Sequence, residues 1–243
     1  MGISIKITGV KKRLGITHAL DGVSVELMSG ISHGVIGPEG AGKTTLFRAI
    51  AGLYSLDSGK IEYFVDSKKV EFESIRNEIA YMPQSQSLYA DLSISEHLDF
   101  YKNLYGISDE LFEKKRGELL TVTRLEPFLN RLAGQLSGGM YKKLGLMCAL
   151  LRAPKVLLLD EPTNGVDPIS RREFWELLAD LGHLDMNIII ATAYMDEAER
   201  CSLVHLLDRG KILMEGEPLQ LISNEKVKSI DEIFLRKEES VVT

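Results

Sequence analysis

The stretch SHGVIGPEGAGKTTLFRAIAGL, residues 32–53, constrains this chain more than any other. A short apolar run ends at Gly37, a glycine-rich segment follows, and helical periodicity takes over near Lys43. Residues 37–45, GPEGAGKTT, fit the pattern G-x-x-x-x-G-K-[ST] in the strand–loop–helix setting that gives the pattern its meaning. Glycines there let the backbone wrap a chain of phosphates and turn its N–H groups inward. The following helix adds a field at its N-terminus that favours anions. Gly37, Pro38, Glu39, Gly40, Ala41, Gly42, Lys43, Thr44 and Thr45 are therefore the predicted phosphate-binding residues. Lys43 is expected to reach the β- and γ-phosphates, and Thr44 to offer its hydroxyl to Mg²⁺. Glu39 is expected to point outward to solvent.

A second segment completes this chemistry. KVLLLDEP, residues 155–162, is a fully apolar run of the kind that forms a buried parallel strand, and it ends in two carboxylates. Ligands of open α/β sheets bind at the carboxyl ends of strands. Asp160 is placed there to hold Mg²⁺ through water, and Glu161 to polarise an attacking water as general base.

Strand and helix patterns alternate along the chain. Residues 3–7 and 23–27 alternate in β fashion around a turn-rich connection containing Gly15 and Asp21-Gly22, and 60–65 and 78–82 are further strands. From Ser93, which forms a capping-box pattern with Glu96, the period becomes helical through about residue 153. Strand 155–162 is followed by helix SRREFWELLADL, strand 187–191, helix 195–200, strands near 203–207 and 211–214, and a short amphipathic helix with a polar tail. This alternation predicts an α/β class with a mostly parallel sheet. The predicted organisation is a core with a β subdomain over 1–84 and 154–243, and a helical insertion over 85–153.

Composition excludes several classes. With 44% hydrophobic and 26% charged residues, the 243-residue chain is an ordinary globular one, long enough for a large α/β core. Its net charge of −6 argues against a sequence built to grip nucleic acid. No apolar run approaches the ~20 residues of a membrane helix, and MGISIKITGV reads as a strand rather than a leader. Cys148 and Cys201 form no metal or redox motif and read as buried free thiols in a reducing compartment. The five histidines are scattered, with none at ligand spacing.

LSGGM, residues 136–140, begins a helix. Ser137 followed by Gly138 and Gly139 fits a plain N-cap with a glycine turn, and fits equally a second phosphate-binding helix N-terminus. Since one loop already serves the phosphates here, the second reading assigns Ser137 and Gly139 to the nucleotide of another subunit.

Taken in order, the P-loop, YMPQ with Gln84, a helical insertion, LSGGM, LLLDEP and GVDP resemble the nucleotide-binding domain of ABC transporters over essentially the whole chain. The resemblance implies a P-loop NTPase (RecA-like) core with an antiparallel β subdomain and an inserted helical subdomain. It implies ATP and Mg²⁺, and two such domains stacked head to tail with ATP between the P-loop of one and the signature segment of the other. Gln84 would touch Mg²⁺ and relay nucleotide state to a membrane subunit, and Asp167 would form the seam between domains. LYADLSISEHLDFYKNLYG and DEPTNGVDPISRREFWELL look like ATPases of ABC-2 type exporters, the multidrug-type tandem proteins among them. The implied partners are an ABC-2 type transmembrane permease and a second ABC domain, with no nucleic acid. The implied place is the cytoplasmic face of the cell membrane. The segment from Gln86 to Tyr89, with Phe100 and Tyr101, would receive the membrane subunit or else pack the insertion's own core.

Two departures from the family pattern matter. Ala193, after the strand IIIAT, stands where the family places a histidine that contacts the γ-phosphate and the attacking water. Tyr194 is a poor substitute because consecutive side chains leaving a strand point to opposite faces, and neither His183 nor His205 matches the position. Leu14 stands where the family usually stacks an aromatic on adenine, so weaker or less base-selective ATP binding is expected. A smaller oddity is Tyr141-Lys142, where a basic residue and a glutamine are more usual. The expected activity is thus an exporter ATPase with slow turnover at its own site, the alternative being a non-hydrolytic, ATP-gated regulatory clamp.

Overall fold

The structure, a computed structural model, describes residues 2–85, 87–181 and 186–242, with side chains as far as Lys237. Its strands in chain order are β1 (Ile3–Leu14), β2 (Thr17–Leu27), β3 (Ser32–Ile36), β4 (Ser58–Val65), β5 (Lys68–Val70), β6 (Ile79–Met82), β7 (Val156–Asp160), β8 (Asn187–Thr192), β9 (Leu203–Asp208) and β10 (Lys211–Gly216). The helices are α1 (Lys43–Ile50), α2 (Phe72–Ile75), α3 (Ile94–Tyr105), α4 (Asp109–Thr123), α5 (Gly138–Leu150), α6 (Pro168–Leu181), α7 (Pro218–Glu225) and α8 (Ile230–Val242). Contacts group the chain into two compact units: Met1–Tyr81 with Lys155–Glu161 and Asp185–Thr243, and Met82–Pro154 with Pro162–Leu184.

The first unit holds two sheets. One is antiparallel, in the order β2-β1-β4-β5. Ile3, Ile5 and Ile7 of β1 are buried while Ser4, Lys6 and Thr8 between them are not, as the two-residue period of a strand requires. The sequence pattern ends this strand at residue 7, yet β1 runs to Leu14 and pairs with β2 from Ile5 to Ile7 and again from Val10 to Leu14. Bulges explain the difference. The register shifts past Gly9 and Gly22, both at positive φ, so the inward set resumes at Val10 instead of breaking off.

The other sheet has the order β10-β9-β3-β8-β7-β6. β3 lies between β8 and β9, parallel to both, and β7 is parallel to β8. Every residue of β7 and of β8 is buried, which accounts for their unbroken apolar runs. Chain order jumps on either side of β3, making its C-terminal end a topological switch point where ligands of such sheets bind. α1 starts at that end and packs on β7 and β8. Residues 195–200, which the sequence pattern makes a helix, form a 3₁₀ helix. α7, absent from the sequence reading, begins at Pro218, where a fixed φ suits the first helical turn.

The second unit is helical. α3 opens with the expected capping box: Glu96 N–H donates to Ser93 Oγ, and Ser93 N–H donates back to Glu96 Oε2 at 2.7 Å. α5 packs against α3, α4 and α6, and buries Leu144, Leu146, Met147 and Leu150. An apolar helix of this kind suits a central position among other helices. Among the described residues no helix is long and apolar enough to cross a membrane.

Candidate functional site

The loop between β3 and α1 takes its shape from two close approaches. Gly42 has φ +110°, and a Cβ there would stand 2.3 Å from the Ala19 carbonyl oxygen. A Cβ on Gly37 would stand 2.0 Å from the Leu207 carbonyl oxygen. Only glycine fits either position. Gly37 N–H donates to Thr192 O, Ala41 N–H to Pro38 O, and Gly210 N–H to Ala41 O. The loop is therefore tied to its neighbours by backbone bonds. Glu39 and Gly40 are exposed, and Thr45 is buried.

Lys43 is 5% exposed, and its three ammonium protons have three acceptors: Gly37 O at 2.7 Å, Pro38 O at 2.9 Å and Glu161 Oε1 at 3.0 Å. Glu161 is held at its other oxygen as well, because the backbone N–H of Ala193 donates to Oε2 at 3.1 Å. Its own backbone is at φ +48°, a conformation that costs a non-glycine residue energy and recurs at functional sites. Position 193 thus meets the carboxylate through a main-chain atom.

Asp160 is fully buried. Thr44 Oγ1 donates to its Oδ1 at 3.0 Å and Tyr81 Oη to its Oδ2 at 3.0 Å. Burial raises its carboxyl above the usual range, opposed by these two hydrogen bonds and by the charges of Lys43 and Arg48. The donor set suits Mg²⁺. The Thr44 proton points to the carboxylate, which leaves the hydroxyl lone pairs for a cation. Among the described residues no cluster of three or more His, Cys, Asp or Glu forms a ready-made metal cage. Few protein ligands are what Mg²⁺ uses when it arrives with phosphates.

Leu14 ends β1, opposite Thr17, and is 42% exposed. Gln84, Ser137, Gly138, Gly139 and Asp167 belong to the helical unit. There Ser137 is the N-cap of α5, accepting from Met140 N–H at 3.3 Å. Gly139 is required by packing, since a Cβ would stand 2.6 Å from Ser170 Cβ. Asp167 Oδ1 accepts from the N–H groups of Ile169 and Ser170 at the start of α6, and those bonds hold its carboxyl below the usual range. The Tyr141-Lys142 oddity has a local use. Leu88 N–H donates to Tyr141 Oη at 2.8 Å, and Lys142 Nζ donates to the Gln84 carbonyl at 3.3 Å. His97 joins them by accepting from Tyr89 N–H at 3.0 Å.

His205 is buried and engaged with His33 and Glu215, so it is no stand-in for a histidine at 193; His183 and Gln86 lie outside the described residues. Cys148 and Cys201 are free and buried, and burial raises both thiols. Sequence reasoning missed Tyr81 and Arg48 as partners of the Asp160 site. The one available signal was a tyrosine in the otherwise apolar strand IAYM.

A glycine-shaped loop at a switch point, a lysine inside it and paired carboxylates at the C-terminal end of β7, beyond β8 in the same sheet, define a nucleoside-triphosphate-binding fold. A family model described as ABC transporter matches residues 20–164. The probable multidrug ABC transporter ATP-binding protein YbhF of Escherichia coli is 44% identical over 225 residues, which cover 89% of this chain and 38% of that protein. The Nod factor export ATP-binding protein I of a Rhizobium strain is 35% identical over 233 residues, 96% of this chain and 77% of that one. A solved ATP-binding subunit of an ABC transporter superposes with TM-score 0.82 at 26% identity, covering 96% of this chain and 98% of that one. The chain belongs to the ABC transporter family, as an ATP-binding domain. It spans 38% of the length of YbhF.

Proposed function

We propose that this chain binds and hydrolyses Mg·ATP to drive export through a separate ABC-2 type membrane subunit, with slow turnover at its own site. The observation that carries the reading is the Lys43–Glu161–Ala193 arrangement: a lysine inside the phosphate loop, a general base against it, and only a backbone N–H at position 193. Lys43 exchanges Glu161 for phosphate oxygens, and the freed carboxylate accepts the proton of the attacking water. Mg²⁺ would neutralise charge on the phosphates, with the Thr44 hydroxyl and Asp160 carboxylate as its holders. A side chain that orients the γ-phosphate and the water is lacking at 193, so this step is slow.

The relatives' names, multidrug and Nod factor export, support the export assignment. We assign Gln84 to relaying nucleotide state, and Ser137, Gly138, Gly139 and Asp167 to a second ABC domain, on the family resemblance. Residues 85–153 serve as the helical subdomain, and the working place is the cytoplasmic face of the membrane. Tyr89, 52% exposed and edge-on to Phe100, and Tyr101 beyond it offer an aromatic surface for the permease. A second reading, a regulatory clamp that binds ATP without hydrolysis, draws on one fact: both Glu161 oxygens already have partners. The retention of a base weighs against it.

The test is ATP affinity beside steady-state phosphate release, for the parent chain and Glu161→Gln. Slow release that disappears in Glu161→Gln, with ATP affinity kept, supports the hydrolytic reading. Tight binding with no release from either protein supports the clamp. No nucleotide binding refutes both.

A further inference from the structure

Asp160 has a support behind it that the resemblance does not assign. Tyr81, half-buried on β6, donates its hydroxyl proton to Asp160 Oδ2 at 3.0 Å, and the Arg48 guanidinium acts electrostatically on Tyr81 in turn. Arg48 Nη1 also donates to Tyr54 Oη at 2.8 Å. A phenol hydroxyl donates one proton and accepts through its lone pairs. Tyr81 can therefore pass the influence of the Arg48 cation to a carboxylate that has no solvent exposure. The two oxygens of Asp160 then differ. Oδ1 faces Thr44, the residue fitted to a cation, while Oδ2 is tied to β6. With Oδ2 tied, the carboxylate cannot rotate about its last torsion without losing a bond.

We infer that Tyr81, backed by Arg48, is a positioning residue that fixes the Asp160 carboxylate for the metal accompanying the nucleotide. The inference rests on the Mg·ATP reading given above. Outer partners that orient a metal-binding carboxylate typically change metal affinity by about 10–100-fold when removed. The two departures at 14 and 193 leave this support untouched, so the metal half of the site stands independent of them.

The experiment measures Mn²⁺ binding by electron paramagnetic resonance in the presence of a saturating non-hydrolysable ATP analogue. Affinity for the same analogue without metal is measured beside it. Tyr81→Phe, which removes one hydroxyl, is expected to weaken Mn²⁺ binding about tenfold while metal-free analogue affinity stays within about twofold of the parent. Arg48→Gln should weaken Mn²⁺ binding in the same direction by about threefold or more, and Tyr54→Phe should leave it within about twofold. Thermal melting of each metal-free variant reports folding separately. Mn²⁺ affinity of Tyr81→Phe within twofold of the parent overturns the inference, as does an equal loss with and without metal. In both cases a parent that binds Mn²⁺ and analogue leaves the ATP reading standing. A parent that binds neither overturns both.

Discussion

Replacing Ala193 with histidine isolates the departure at that position. Ala193 is half-buried just past the end of β8, and its backbone N–H already lies 3.1 Å from Glu161 Oε2. A side chain grown from this residue starts beside Glu161, the proposed general base, and the existing bond uses only the main chain. A hydrogen bond to a charged group contributes about 1.5–3 kcal/mol. If it forms in the transition state alone, each 1.36 kcal/mol is about tenfold in rate, so Ala193→His should raise kcat by about 10- to 150-fold. KM for ATP should change far less. The assay is steady-state phosphate release at saturating Mg·ATP, with Ala193→His, Glu161→Gln and the double variant side by side. The gain should vanish in the double variant. The reasoning is refuted if the parent turns over as fast as Ala193→His, or if the gain persists without Glu161.

Three further outcomes follow from contacts away from position 193. Lys43→Met removes the cation paired with the buried Glu161 carboxylate and should lower stability to urea by about 3–5 kcal/mol, whereas adding Glu161→Gln should recover much of the loss; equal losses would deny the pair its coupling. Leu14→Tyr restores a π-face for the base and should tighten ATP by about 2- to 13-fold, from the ~0.5–1.5 kcal/mol of a stacking pair, and no change in an ATP titration would place the base elsewhere. His33 and His205 stack with centroids 5.4 Å apart, and burial holds both down to about 4, below the ~6.5 of an unfolded chain. The unfolded chain therefore takes up protons first. The contribution of the pair is fully present above pH ~6.5 and is lost as pH falls toward about 4, roughly 2 kcal/mol per ring by pH ~5. Urea midpoints that do not move between pH ~7.5 and ~5 would refute it.

What was legible in the sequence was local. The phosphate loop announces itself because glycines at 37 and 42 are demanded by the backbone around them, and a neighbour's carbonyl oxygen leaves no room for a Cβ at either. β7 and β8 are legible because a strand buried on both faces must be apolar throughout. The capping box at Ser93 and Glu96 spans four consecutive residues and needs no tertiary information. The β1–β2 hairpin was half legible, since bulges at Gly9 and Gly22 interrupt the period that a pattern search follows. The identity of the polar partners was not legible at all. Tyr81 meets Asp160 across 79 positions, and Thr44 meets it across 116. Nothing in IAYM says which carboxylate its tyrosine will find, because that depends on β6 lying beside β7.

The same distinction governs position 193. From the sequence, alanine there is a loss, since a side chain the family uses is missing. The structure adds that the residue keeps a contact with Glu161 through an atom every amino acid but proline possesses. Substitution at 193 can therefore change the side chain presented to the proposed γ-phosphate site without removing the main-chain bond to Glu161. A site assembled in this way loses rate before it loses architecture. None of the hydrogen bonds and the ion pair that hold Lys43, Thr44, Asp160 and Glu161 uses the side chain at 193. For that reason nucleotide binding and turnover should separate cleanly in this chain, and restoring a single imidazole should act on the second with little effect on the first.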